Sequence, residues 1–178
     1  LKAIIGYYVD QDPAPMLIVQ PTLAMAETMS KDRLSPMIRD TPVLKAKVGD
    51  RRSRDSGSTI LHARFPGGHY TLAGSNSSSS LASRPVRLVL LDEVDRYPAS
   101  AGTEGDPVNL ARKRTTTFWN RKIVMTSTPT IAGASRIEIA YGKSDQRRFH
   151  VPCPQCNAEH VLLWKHVVFD RDDPKESA

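Results

Sequence analysis

Residues 87–98 read Arg87-Leu88-Val89-Leu90-Leu91-Asp92-Glu93-Val94-Asp95-Arg96-Tyr97-Pro98. Four consecutive large apolar side chains, Leu88 to Leu91, are followed by two adjacent carboxylates. A short run without polar alternation fits a strand buried on both faces, as in a parallel sheet covered by helices. Sheets of that kind hold their ligands beyond the carboxyl ends of the strands. Asp92 and Glu93 are therefore placed where chemistry would occur. Taken alone, the dipeptide reads better as an exposed acidic turn closed by Pro98, so the flanking sequence has to decide.

Working outward, two more short apolar runs carry strand character. Met16-Leu17-Ile18-Val19 follows the turn-like Asp12-Pro13-Ala14-Pro15, and Ile123-Val124-Met125 leads into Thr126-Ser127-Thr128-Pro129-Thr130. Helical segments lie between them. Leu1 to Tyr8 reads as the end of a helix, with Ile4, Ile5, Tyr8 and Val9 on one side. Thr22 is a plausible N-cap for a helix from Leu23 to Ile38, which Pro36 interrupts or restarts. Asp106-Pro107 opens another helix running into Arg112, Lys113 and Arg114, where basic side chains suit the negative end of the helix dipole. Ser135-Arg136-Ile137-Glu138 has the spacing of a capping box, with Gly142 as the stop. Thr59 to Phe65 and His69 to Ala73 predict a pair of strands joined through Pro66-Gly67-Gly68. Gly74 to Ser80 is small and polar, a flexible linker by composition or else a loop over the same site. Strands alternating with helices predict an α/β fold with a mainly parallel sheet and flanking helices.

Composition sets outer bounds. The chain has 178 residues, 39% hydrophobic and 25% charged, with a formal net charge of +6. That size supports one compact core with a small appendage. The positive balance permits a polyanionic partner, whereas 6% aromatic content offers no obvious stacking platform for single strands. No apolar run approaches the ~20 residues that span a bilayer. The N-terminus carries no initiator Met and no signal-peptide pattern, and reads as though cut from a longer chain. Two cysteines, Cys153 and Cys156, make no disulfide framework and suit a reducing compartment.

In nucleoside triphosphatases, a buried strand ending in Asp-Glu is the Walker B element. Its first carboxylate helps to hold Mg²⁺, and the adjacent Glu can deprotonate the attacking water. The strand ending in Ser127 and Thr128 comes about thirty residues later. In nucleotide-driven motors such a strand end can lie against the catalytic carboxylate; it is also an ordinary polar turn. The order of the two strand ends is more informative than either alone.

Five segments in the same order resemble the large terminase subunit of tailed phages, of the lambda GpA type. They are Val19 to Glu27, Ser30 to Leu34, Asp92 to Pro98, Glu104 to Pro107 and Arg121 to Thr130, together spread over almost the whole chain. The resemblance implies the ATPase domain of a DNA-packaging motor with a P-loop NTPase-like fold. It implies residues 1–148 as the motor core, and 149–178 as the start of a linker toward a nuclease domain. By position it makes Asp92 the Mg²⁺ carboxylate and Glu93 the catalytic base. Ser127, Thr128 and Thr130 fall on the motif that couples hydrolysis to movement. Arg84 and Arg114 are candidate γ-phosphate or arginine-finger contacts. ATP and Mg²⁺ are the implied cofactors. The implied partners are double-stranded viral DNA, the small terminase subunit, the portal and procapsid, and further copies of the chain, with no membrane, in the bacterial host cytoplasm. An endonuclease activity is implied for the full-length protein.

The phosphate-cradling pattern G-x-x-x-x-G-K-[ST] is missing. Gly142-Lys143-Ser144 has Ile137 where the first glycine belongs, and it follows the Asp-Glu strand instead of preceding it. The family's P-loop precedes a helix like the one ending near Tyr8, so the sequence is expected to start just after it. The 178 residues alone should then hydrolyse essentially no ATP. Cys153-Pro154-Gln155-Cys156 resembles half of a zinc knuckle, with His150, His160 and His166 as nearby candidates to complete a Zn²⁺ site. Arg51, Arg52 and Arg54, with Lys45 and Lys47, form a basic stretch that could grip DNA phosphates without reading sequence, or be a solvated loop. Two alternatives remain at this level: a helicase-like ATPase fragment, or a non-catalytic prophage remnant that only binds DNA or a partner.

Overall fold

The computed structural model describes residues 1–48 and 57–163. Arg51, Arg52, Arg54 and His166 lie outside the described residues. The chain divides into two compact units, Leu1–Glu138 and Ile139–Ala178.

The first unit is built on a five-stranded sheet of order β2-β3-β1-β4-β5. Its strands are β1 (Pro15–Gln20), β2 (His62–Phe65), β3 (Gly68–Gly74), β4 (Leu88–Asp92) and β5 (Lys122–Thr126). β3, β1, β4 and β5 run parallel, and only β2 is antiparallel, paired to β3 across the Pro66-Gly67 turn. The mainly parallel α/β sheet expected from the sequence is thus present.

The leucine-rich run is β4, at the heart of that sheet. Period-two alternation sends its side chains to opposite faces. Leu88 and Leu90 join Met16 and Ile18 of β1 beneath Ile5 and Val9 of helix α1 (Lys2–Asp10) and Leu44 of helix α4 (Pro42–Lys47). Val89 and Leu91 join Leu17 and Val19 beneath Leu81 of helix α5 (Ser78–Ala82) and Val108 and Ala111 of helix α6 (Pro107–Lys113). All four side chains from Leu88 to Leu91 are fully buried. Each contributes roughly 1.5–3 kcal/mol through removal from water, before the entropy of ordering is subtracted. Both faces are covered, which is why the run shows no polar alternation.

Several local expectations hold in detail. Thr22 caps α2 (Leu23–Thr28) by accepting from Met25 N–H at 3.2 Å, and Asp106 caps α6 by accepting from Asn109 N–H at 3.0 Å. The helix expected over Leu23 to Ile38 is not uniform. It passes from α2 into a π-helical stretch, Met29–Leu34, and then α3 (Ser35–Asp40), with Pro36 in the first turn of α3. Part of the basic stretch beginning at Lys45 is helical, as the last turn of α4. The serine run is not a linker. Ser75 is buried, donates its hydroxyl to Pro21 O at 2.8 Å, and donates its backbone N–H to Gln20 O at 2.8 Å. A Cβ on Gly74 would sit 2.6 Å from the Leu23 backbone nitrogen, so this close crossing demands glycine. Ser77 then starts α5, and Leu81 anchors it in the core.

Helix α7 (Arg136–Gly142) begins at the box foreseen there. Ser135 Oγ accepts from Glu138 N–H at 3.1 Å, but Glu138 Oε2 takes Gly133 N–H at 2.9 Å instead of closing back on Ser135. Gly142 is the last residue of α7, so Gly142-Lys143-Ser144 lies at a helix end. The second unit contains the antiparallel pair β6 (His150–Pro152) and β7 (Glu159–Val161), with Cys153 and Cys156 in the connection.

Candidate functional site

Register places the site. Val19 stands beside Leu91, and Asp92 beside Thr126. Gln20, Asp92 and Thr126 therefore form a row across the carboxyl ends of three adjacent parallel strands. Asp92 is gripped from both sides: Gln20 Nε2 donates to its Oδ2 at 2.9 Å, and Thr126 Oγ1 to its Oδ1 at 2.7 Å. Gln20 is buried, and the same Nε2 also lies 2.9 Å from the Met29 sulfur in the π-helical stretch. Neither Gln20 nor Thr126 stands out in the sequence, because strand register is not written in a single chain.

This row forms the floor of a cleft of about 600 Å³. Asp92, Glu93, Thr126 and Gln20 line it from the strand ends, Lys2 from the first turn of α1, and Met29 and Arg33 from the π-helical stretch. π-helical turns are rare and recur at functional sites. The volume suits a drug-sized or nucleotide-sized ligand. The cleft is chemically divided, with two carboxylates on one side and two cations, Lys2 and Arg33, also on its wall.

Glu93 adopts the left-handed conformation, φ 56° and ψ 47°. A non-glycine residue there costs on the order of 1–2 kcal/mol, and strain of this kind concentrates at active sites. Its carboxylate lies 3.3 Å from Arg96 Nε across the 3₁₀ turn Val94–Arg96. That turn is fixed from below: Tyr97, buried, donates its hydroxyl to Val19 O at 2.9 Å. Burial, reinforced by the nearby Asp92 charge, pushes the phenol far above its ordinary value, so it remains a donor.

The hydroxyl segment after β5 meets the same turn. Ser127 Oγ accepts from Asp95 N–H at 3.2 Å. Thr130 donates its backbone N–H to Asp95 Oδ2 at 3.1 Å and its hydroxyl at 3.4 Å. Ser135 Oγ donates to the same oxygen at 2.5 Å, and Ile137 N–H to Oδ1 at 3.0 Å. Burial pushes the Asp95 carboxyl up, but Ser135 and the backbone donors of Ile137, Thr130 and Arg136 hold it below the usual carboxylate range. Ser127 and Thr130 thus reach the Asp92-Glu93 turn through Asp95. Thr128 is exposed, and its carbonyl accepts from Ser127 Oγ at 3.2 Å.

The two arginines singled out in the sequence are elsewhere. Arg114 donates to Ala82 O at 3.0 Å, and its carbonyl accepts from Val86 N–H, at the end of β4 opposite to Asp92. Arg84 is exposed and its charge acts on His62 and His69, lowering both imidazoles after burial has done most of that work. Neither lines the cleft. Among the described residues no three His, Cys, Asp or Glu side chains come together as a metal site. Cys153 and Cys156 therefore remain a pair: hydrogen bonds from the Cys156 and Gln155 backbone, then from the Cys156 thiol, lower the Cys153 thiol. The sequence offered this C-x-x-C as half of a zinc knuckle; among the described residues neither His150 nor His160 joins the pair, so Zn²⁺ finds no support there.

The whole sequence, residues 1–178, matches the family described as phage terminase large subunit gpA, ATPase domain. The chain belongs to that family. Among curated relatives, the terminase large subunit of Enterobacteria phage P21 is 31% identical over 165 residues, covering 91% of this chain and 26% of that protein. The terminase large subunit of Escherichia phage lambda is 29% identical over 164 residues, with the same coverage. The chain thus spans about a quarter of the length of these terminase subunits. Among solved structures, the large terminase ATPase domain of Thermus phage P74-26 superposes with a TM-score of 0.56 at 16% identity, covering 89% of this chain and 64% of that one. The likeness at that identity is one of fold, and it agrees with the terminase architecture expected from the sequence.

Proposed function

We propose that these residues form the ATP-hydrolysing motor domain of a phage terminase large subunit, coupling ATP turnover to movement of double-stranded viral DNA into a procapsid. The observation that carries this reading is the row Gln20, Asp92, Thr126 beneath Glu93, on the floor of a cleft that also receives Lys2 and Arg33. The oxygen-rich set fits Mg²⁺, which binds through one or two carboxylates and completes its shell with water and phosphate oxygens. Asp92 would hold the ion directly or through water, with Thr126 and Gln20 fixing its carboxylate. Bound there, Mg²⁺ supplies charge neutralisation to the terminal phosphates. Lys2 and Arg33 face the same phosphates.

Glu93 is the base in this mechanism. It accepts the proton of the attacking water as that water bonds to the γ-phosphorus and the bond from phosphorus to the β,γ-bridging oxygen breaks, with ADP leaving. To do so it exchanges the Arg96 ion pair for the water, a change that begins at one side chain on an already strained residue. Ser127, Thr128 and Thr130 carry the consequence away from the site. Arg84 and Arg114 have no part in the nucleotide site in this reading.

The remaining roles follow the family. The partners are the small subunit, the portal and further copies of the subunit. The β6–β7 segment leads from a motor core, residues 1–148, toward a nuclease domain, and the work takes place in the host cytoplasm. Among the described residues no helix is long and apolar enough to cross a membrane. The test is Asp92→Asn in the full-length subunit. Turnover should fall by about 10²-fold or more and demand more Mg²⁺, while the 178 residues alone hydrolyse essentially nothing. Full activity of Asp92→Asn at the wild-type Mg²⁺ requirement contradicts the assignment.

A further inference from the structure

Asp95 reads in the sequence as a third acid in a solvated turn. In the structure it is the knot between two halves of the site. Its backbone N–H meets Ser127, and its two carboxylate oxygens take Thr130 N–H, the Thr130 and Ser135 hydroxyls, and Ile137 N–H. Arg136, the next residue along, locks the same turn from the other side. It donates to Val94 O at 3.1 Å, Tyr97 O and Pro98 O at 2.8 Å each, and Asp106 Oδ1 at 3.2 Å. Two charged side chains from opposite partners thus bind the turn beginning at Glu93 to the segment 127–137.

We infer that Asp95 is a positioning residue for the proposed reaction, setting Glu93 and the Ser127–Thr130 hydroxyls in register. This rests on the hydrolytic reading of the cleft. Asp95 lies two residues beyond the base, outside the cleft lining, and acts through the turn. Glu93 in the left-handed conformation is conformationally costly, so the residues after it must be anchored to hold that shape. Asp95, the middle residue of the turn Val94–Arg96, supplies the anchor toward the segment 127–137, beside those of Tyr97 and Arg136. A carboxylate that accepts several N–H and O–H groups makes the anchor stiff, because charge-assisted hydrogen bonds are roughly twice as strong as neutral ones. Movement of the base when it leaves Arg96 is then passed to the hydroxyl segment and the start of α7 through one side chain.

The test compares Asp95→Asn, Ser135→Ala and Ser135→Thr in the full-length subunit. Asp95→Asn keeps the shape and loses the charge. It is expected to lower kcat by about 10- to 100-fold, with the KM for ATP within about twofold of wild type and only a modest fall in Tm from the lost charge. Ser135→Ala should lower kcat less, and Ser135→Thr, which restores the hydroxyl, should recover it. Wild-type kcat in both Asp95→Asn and Ser135→Ala overturns the inference. So does a fall in kcat matched by losses in Tm and nucleotide binding, since that describes a merely structural carboxylate. If the wild-type protein does not hydrolyse ATP, the proposed function fails. Hydrogen exchange still decides the anchor in that case: the Thr130 and Ile137 amides lose protection in Asp95→Asn if it holds the segment, and keep it if it does not.

Discussion

Glu93 combines a costly backbone conformation with the role of base proposed for it. Its φ of 56° is a conformation that glycine adopts without penalty and alanine does not. Comparing Glu93→Gly with Glu93→Ala removes the carboxylate in both and varies only the backbone cost. Chemical denaturation should find Glu93→Gly more stable by about 1 kcal/mol, with both variants inactive. Equal stabilities would mean that the residue is not strained. Asp92, in contrast, is held by ordinary geometry, between Gln20 and Thr126. Asp92 and Glu93 were visible in the sequence because a continuously apolar strand points to its own carboxyl end. Gln20 and Thr126 were not, because their place depends on how three strands align. Asp95 was hidden for another reason: an acid in a polar turn has the same appearance whether water or four protein donors surround it.

At the scale of elements, the clasp between the β4 turn and the start of α7 should respond to acid. The Asp95 carboxyl lies below the ordinary aspartate value in the folded chain, held there against burial by Ser135 and the backbone donors. A depressed carboxylate stabilises the fold fully above its unfolded value, and that contribution is lost as pH falls through the lower folded value. Urea unfolding across this acid window should show the wild type losing more stability than Asp95→Asn. A parallel decline in the two proteins would show that Asp95 titrates without linkage to folding. β1 and β4 were legible as short apolar runs because both of their faces are covered, whereas β5, also apolar in sequence, lies at the sheet edge with its side chains only half-buried. The Gly74–Ser80 stretch was not, since its small residues serve close packing against Leu23 and Pro21, and composition reads them as a linker. The π-helical stretch was equally hidden, because an apolar period of three to four residues does not distinguish a π turn within an α-helix. Yet that stretch places Met29 and Arg33 on the cleft.

For the molecule as a whole, the family and the fold agree with the expectation from the sequence, and the chemistry converges on one cleft in the first unit. The sheet places Asp92, Glu93, Thr126 and the amide of Gln20 at one end, and Lys2 of α1 and Arg33 of the π-helical stretch line the same cleft. That mixture of charges suits the magnesium nucleotide of the proposed function, and the chain's membership in the terminase ATPase-domain family supports the proposal. The most direct measurement is single-turnover hydrolysis of prebound ATP by the full-length subunit carrying Glu93→Gln. The account predicts that nucleotide binds as in the wild type while the γ-phosphate bond is cleaved at least about 10²-fold more slowly, within the range expected of a general base. Cleavage at the wild-type rate would contradict it, because the proton of the attacking water would then have another acceptor.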